Sequence, residues 1–177
     1  LRFLLINIIL FIYFYRECKE GGIFMTTDIN MNQLKADALE IFCNGFACSE
    51  SVIFSLRKHF QVDISDDAIA MSSGFPWGLG GPGCLCGAAA GGTMMIGYFF
   101  GRKTPGDPKV KRCFDLTAEF HDAFKNEFGA TCCRVLTKGM EKHSQERKNH
   151  CMEMVSFTVE KVADIIIREL EKDKADS

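Results

Sequence analysis

Hydrophobic residues recur every three or four positions along most of the chain, which is the spacing that places them on one face of an α-helix. The alternation of apolar and polar residues that is typical of strands is absent from the sequence. The pattern therefore predicts an all-α fold, a compact multi-helix bundle. The predicted helices cover about 30–44, 47–60, 65–74, 86–101, 108–129, 131–139 and 145–172.

A glycine-rich stretch over residues 74–101 interrupts this pattern and contains ten of the sixteen glycines. Glycine lets backbone pass close to backbone or to a bound group. We therefore expect a glycine-rich loop that leads into a central helix of small residues. Gly91 and Gly92, each four residues after another small residue, should let this helix approach its neighbours closely, and Trp77 should plug the core over the loop.

The length of 177 residues and the apolar fraction of 47% are sufficient for one domain with its own core. We expect a single helical domain over residues 25–172 and a charged tail over 173–177. Residues 1–24 form an apolar extension, whose apolar run is shorter than the roughly 20 residues of a membrane-spanning helix. We expect this extension to be dispensable upstream sequence, with a weak membrane anchor as the alternative.

The net charge and the number of cysteines limit the functions that the protein can have. The formal net charge is −2, and the basic residues are dispersed, which argues against a nucleic-acid partner. The nine cysteines cannot all pair within the chain, and their spacing is not that of a small disulfide scaffold. We therefore expect a cytoplasmic protein whose reduced thiols serve metal or redox chemistry.

Three cysteines fall in the first turn of a predicted helix, and a fourth lies early in the last helix. They are Cys48, Cys86, Cys133 and Cys151. A helix N-terminus carries a partial positive charge and unpaired N–H groups, so we expect lowered pKa values for the thiols placed there. A thiolate can bind a metal or attack a disulfide. Cys43 and Cys113 lie late in or midway along predicted helices and are expected in the core.

Several segments resemble the C_GCAxxG_C_C family, whose members are described as redox-active proteins with four hallmark cysteines. The similar segments are 45–52 (Gly-Phe-Ala-Cys-Ser-Glu-Ser-Val), 78–81 with 86–91 around Cys86, 128–136 around Cys133, and the helix that carries Cys151. The resemblance spans roughly residues 34–170 and implies that Cys48, Cys86, Cys133 and Cys151 are the hallmark positions. Cys84 follows a glycine as the family's central cysteine does, and Cys132 adjoins Cys133, so either could take its neighbour's role.

Three functions remain open from the sequence. The first is an iron–sulfur cluster held by the four hallmark cysteines for electron transfer. The second is a metal-free dithiol/disulfide oxidoreductase or redox sensor that uses Cys86 and Cys133, with Cys84 or Cys132 as the resolving partner. The third is a structural four-cysteine zinc module. The expected partner is a redox protein or a small thiol or oxidant, and the small-residue helix could also pack across a homodimer.

Overall fold

The computed structural model describes residues 26–176, and the regular structure in that part of the chain is entirely helical. The prediction of an all-α bundle is confirmed. The predicted extension over residues 1–24 lies outside the described residues. The helices are α1 Met31–Cys43, α2 Cys48–Phe60, α3 Asp66–Ser72, α4 Pro76–Leu79, α5 Gly87–Phe100, α6 Val110–Phe128, α7 Cys133–Leu136 and α8 Gln145–Ala175.

One short helix was not predicted. The segment α4 lies within the glycine-rich loop and is a turn with positive φ angles at Trp77, Gly78 and Leu79 instead of a regular right-handed helix. Trp77 and Leu79 adopt φ angles of 60° and 58°, which residues with a side chain rarely adopt. No apolar periodicity can develop over four residues, which is why the sequence pattern does not reveal this turn.

The last helix is longer than predicted. The expected charged tail over 173–177 is helical as far as Ala175. Arg112 on α6 pairs with Asp173 at 2.7 Å and with Glu169 at 3.0 Å. These contacts hold the final turns of α8 against α6, so the charged end continues the helix.

Helix α5 lies at the centre and packs against α2, α6 and α8. A Cβ atom at Gly91 would lie 2.7 Å from the backbone oxygen of Ser49 on α2. At Gly92 it would lie 2.8 Å from side-chain atoms of Phe120 and Thr158. The close helix approach predicted from the small residues is therefore present, and it brings the start of α5 beside the start of α2.

Backbone hydrogen bonds join the glycine-rich loop to α7. The carbonyl of Gly83 accepts from the Arg134 N–H at 3.0 Å, and the Cys86 N–H donates to the carbonyl of Thr131 at 2.8 Å. The starts of α5 and α7 are thereby held together. Among residues 26–176, no helix combines the length and the apolar character that crossing a membrane requires.

A serine caps the N-terminus of α8. The Ser144 Oγ accepts from the Arg147 N–H at 3.2 Å. We expect Ser144→Ala to lower the free energy of unfolding by about 1 kcal/mol, because one N–H group of the first turn loses its acceptor. Urea unfolding followed by circular dichroism measures this effect. Ser156→Ala, in the middle of the same helix, is the control, and an equal loss in both variants would contradict the capping role.

Candidate functional site

One cavity of about 410 Å³ brings the four hallmark cysteines together from four separate helices. Cys48 begins α2, Cys86 is the N-cap residue of α5, Cys133 begins α7, and Cys151 lies two turns into α8. Cys86 and Cys133 are buried, and the other two are half-buried. Residues distant in sequence therefore present these four thiols to one cavity.

Local contacts at the starts of α2 and α5 allow Cys48 and Cys86 to lie close together. Ala47, the N-cap residue of α2, donates its N–H to a carboxylate oxygen of Glu50 at 2.7 Å, which fixes the turn before Cys48. A Cβ atom on Gly87 would collide with the Sγ of Cys48 and would lie 3.4 Å from the Cα of Pro76. Glycine at position 87 therefore lets the start of α5 approach Cys48 closely.

The rest of the cavity is mostly apolar on one side and basic on the other. The apolar part comes from α1, the turn after it, and α5. The basic part comes from the start of α8 and the residues before it. Besides the four cysteines, the lining residues are Phe42, Cys43, Gly45, Phe46, Ala47, Pro76, Trp77, Gly87, Ala88, Lys142, His143, Ser144, Arg147, Lys148 and Met154.

Two contacts orient sulfur atoms in the cavity. The thiol of Cys86 donates to the thioether sulfur of Met154 at 3.8 Å. A guanidinium nitrogen of Arg147, Nη2, lies 3.8 Å from the Sγ of Cys133. The Cζ atom of Arg147 also lies 4.8 Å from the centre of the Trp77 ring, within cation–π range. A fixed positive charge therefore adjoins the thiols.

The prediction of lowered thiol pKa values at helix starts is wrong for Cys48 and Cys86. Burial, followed by the proximity of the Cys86 sulfur, raises the pKa of Cys48 to about 12. Burial also raises the pKa of Cys86 to about 11, although the N–H groups of Ala89 and Ala88 act in the predicted direction. The pKa of Cys151 is raised by burial and by the nearby Cys133. Loss of solvent outweighs the helix N-terminus in this enclosed space.

The cysteines of the described part of the chain are free thiols, without a disulfide among them. No three His, Cys, Asp or Glu side chains within residues 26–176 form a group arranged to hold a metal ion. The four hallmark thiols thus line the cavity without converging on one point.

The neighbouring cysteines lie elsewhere. Cys84 is exposed, and the Cys132 thiol donates to the carbonyl of Gly83 at 3.0 Å; neither lines the cavity. Cys113 is buried as predicted. Cys43 was expected in the core, but it is exposed and lines the cavity. It is the last residue of α1, where the chain leaves the helix.

The expected core position of Trp77 is also wrong. The residue is 38% exposed, and its ring lies against the guanidinium of Arg147. The Nζ atom of Lys142 is 5.3 Å from the centre of its ring, and the His143 ring centre is 5.5 Å away. The left-handed conformation of Trp77 places the ring at the cavity opening.

Sequence reasoning missed two further residues of the site, Arg147 and Met154. The helical period contains the signal that could have found them. Arg147 precedes Cys151 by four residues and Met154 follows it by three, and these separations lie on one helix face. Once Cys151 is taken as a site residue, both neighbours are expected beside it.

The fold and the site together define a class: helical proteins in which cysteines from separate helix starts line one internal cavity. The model of a family described as "Putative redox-active protein (C_GCAxxG_C_C)" matches residues 46–165. The chain belongs to this family, as its cysteine-bearing segments predicted. The matched region contains Cys48, Cys86, Cys133 and Cys151.

A protein of Archaeoglobus fulgidus that is described as uncharacterized is 25% identical to the chain over 134 residues. The alignment covers 71% of this chain and 88% of that protein. No solved structure matches the chain.

Proposed function

We propose that the four hallmark cysteines hold an iron–sulfur cluster and that the domain transfers electrons. The observation that carries this proposal is the convergence of Cys48, Cys86, Cys133 and Cys151 on one cavity. Four cysteine thiolates are the usual ligand set of such clusters. When bound, the cluster would supply a centre that gains and loses single electrons.

The size of the cavity fits a centre of several atoms. A single zinc ion is held by sulfur ligands about 2.3 Å away, in a compact tetrahedron. The thiols here line a space of about 410 Å³, and each comes from a different helix. Four separately anchored ligands around such a volume support a cluster over a single ion. The chain also lacks the closely spaced Cys-x-x-Cys pairs that most structural zinc sites use.

The surrounding residues are suited to an anionic centre. The N–H groups of Ala88 and Ala89 face the sulfur of Cys86 and would donate to it when it is ionised. Arg147 brings a cation to Cys133, at 3.8 Å. Hydrogen bonds to the sulfur atoms and nearby positive charge stabilise the more negative, reduced state, so both features would raise the reduction potential.

The decisive experiment is an anaerobic absorption spectrum of the purified full chain, with iron, zinc and sulfide assayed on the same sample. We expect broad visible absorption with matching amounts of iron and acid-labile sulfide. A colourless protein with stoichiometric zinc would indicate the structural zinc site instead. Metal-free protein that loses one pair of free thiols on mild oxidation would indicate the dithiol centre.

Adjacent cysteines provide matched controls for the ligand assignment. Cys86→Ser is expected to remove most of the visible absorption, because serine oxygen is a poor replacement for a thiolate at iron. Cys84→Ser, two residues away and outside the cavity, should leave the spectrum unchanged. Cys133→Ser and Cys132→Ser form a second pair with the same expectation. A spectrum that survives Cys86→Ser, or is lost in Cys84→Ser, would contradict the assignment.

A further inference from the structure

A second pocket of about 360 Å³ adjoins the cysteine cavity. Trp77 and Arg147 line both spaces. No cysteine lines the second pocket, so it is distinct from the thiol site. Its remaining lining residues belong to the glycine-rich loop, to α7 and to the turn after α7. They are Gly81, Pro82, Gly83, Arg134, Thr137, Lys138 and Gly139.

This pocket, which we call the basic pocket, concentrates uncompensated positive charge. Arg134, Lys138 and Arg147 line it together, and no carboxylate does. Within residues 26–176 none of these three side chains forms an ion pair. In contrast, Arg112 and Arg168 each pair with two carboxylates. Three cations in a concave space without a counter-charge favour the binding of an anion.

The pocket is pre-formed by its backbone. The carbonyl of Gly83 accepts from both the Arg134 N–H and the Cys132 thiol, each at 3.0 Å. A Cβ atom at Gly83, where φ is +81°, would lie 2.7 Å from the Cβ of Arg134. The loop therefore contacts α7 closely enough to fix where the Arg134 side chain begins. The left-handed conformation of Trp77 on the opposite side is the kind of strain that proteins retain at ligand-binding sites.

Arg147 has a hydrogen-bond donor that lacks an acceptor, next to the other cations of the basic pocket. Its Nε atom is buried and has no hydrogen-bond partner in the part of the chain that the structure describes. A buried donor without an acceptor costs free energy. The hydrogen-bonding capacity of the Arg147 guanidinium is therefore not saturated by the described residues, and two further cations line the same pocket.

We propose that the basic pocket binds a small anion with at least two negatively charged groups, either phosphates or carboxylates. Arg134, Lys138 and Arg147 neutralise the charge, and the exposed ring of Trp77 contacts the bound molecule. Because Arg147 also lies 3.8 Å from the Cys133 sulfur, the anion is held one side chain away from the thiol site. The binding uses no cysteine side chain, because none lines the basic pocket.

Trp77 provides the readout, because it is the one tryptophan of the chain. The full chain is titrated with inorganic pyrophosphate and, separately, with citrate, at an ionic strength held constant with potassium chloride. We expect a saturable change in tryptophan fluorescence, confirmed by calorimetry. Comparing the dissociation constants of the two probes distinguishes a phosphate ligand from a carboxylate ligand.

Variants of exposed side chains test the location. Arg134→Gln and Lys138→Gln are each expected to raise the dissociation constant about tenfold, since each removes a charge-assisted hydrogen bond. Lys125→Gln, which removes an exposed cation on α6 outside this pocket, should leave it unchanged. Cys86→Ser should bind with the affinity of the wild type, which separates this test from that of the cluster.

Three results would overturn the proposal. The first is the absence of saturable binding with both probes. The second is an affinity that Arg134→Gln and Lys138→Gln leave unaltered. The third is a folded Cys86→Ser protein that no longer binds the probes, because the anion would then occupy the cysteine cavity.

Discussion

Gly91→Ala is expected to lower the free energy of unfolding by about 2–3 kcal/mol, because the added methyl group overpacks the contact between two helices. The added Cβ atom would lie 2.7 Å from the Ser49 carbonyl oxygen and 3.1 Å from both the Ser49 Cα and the Val52 Cβ. Because the closest of these atoms belong to the backbone of α2, no side-chain rotation can relieve the overlap. The two helices would have to move apart.

A second glycine on α5 gives the control. At Gly97 an added Cβ atom would have no atom within 4 Å, and the residue lies inside the same helix. Gly97→Ala should therefore stabilise the protein by about 0.5–1 kcal/mol, because alanine loses less backbone entropy than glycine on forming a helix. Denaturant unfolding of both variants and the wild type measures the two effects. Equal stability of the two variants would contradict the close contact between α2 and α5.

The same contact connects stability to the thiol site. Ser49 and Cys48 are consecutive residues at the start of α2, and Gly91 lies one turn after Gly87, which faces the Cys48 sulfur. A displacement of α5 from α2 therefore widens the cavity between Cys48 and Cys86. We expect Gly91→Ala to lose the proposed cofactor more readily than Gly97→Ala does, at a temperature where both remain folded.

The helices could be predicted from the sequence because each long one carries a stripe of apolar residues with its own end signals. Asn30 and Ser65, where the first and third predicted helices begin, cap α1 and α3, and Gly129 ends α6 in the left-handed conformation. The four-residue helix α4 has room for neither a stripe nor a periodic pattern. The end of α8 was underestimated because its charged residues find partners on α6, a tertiary contact that local composition does not show.

The site was predicted in part. The position of a cysteine at a helix start depends on local sequence, and Cys48, Cys86 and Cys133 were found on that basis. Their protonation depends on how much solvent the assembled cavity excludes, and that depends on residues far apart in the chain. The sign of the pKa shift at Cys48 and Cys86 was therefore wrong even though their positions were right. Arg147 was missed because its contacts with Trp77 and Cys133 join distant parts of the chain, although its spacing from Cys151 places both on one helix face.

Acid should destabilise the protein through two buried carboxylates. Hydrogen bonds from Lys58, and then from Gln33 and His59, outweigh burial and lower the pKa of Asp37 to about 2. At Glu169 burial acts to raise the pKa, but hydrogen bonds from Lys172, Arg168 and Arg112 outweigh it and lower the value to about 2. Both carboxylates thus titrate well below their ordinary values of 3.8 and 4.5.

A carboxylate with a depressed pKa stabilises the folded state fully above its unfolded pKa, and this contribution is lost as the pH falls through the folded value. We therefore expect the free energy of unfolding to decrease between about pH 4.5 and pH 2. Asp37→Asn and Glu169→Gln should each cost about 1–2 kcal/mol at pH 7, because they remove an ion pair whose cations are partly exposed. As the pH falls, the free energy of unfolding of both variants should also decrease less steeply than that of the wild type.

Urea unfolding at a series of pH values, on wild type and variants in parallel, measures this dependence. Glu171→Gln is the matched control, because Glu171 lies on the same helix as Glu169 but is exposed and forms no ion pair among the described residues. It should follow the wild-type curve. Since acid also releases protein-bound metal, only the difference between each variant and the wild type reports on the carboxylate. Parallel curves for Glu169→Gln and wild type would show that Arg112, Arg168 and Lys172 stabilise α8 by packing of their aliphatic stems instead of by charge.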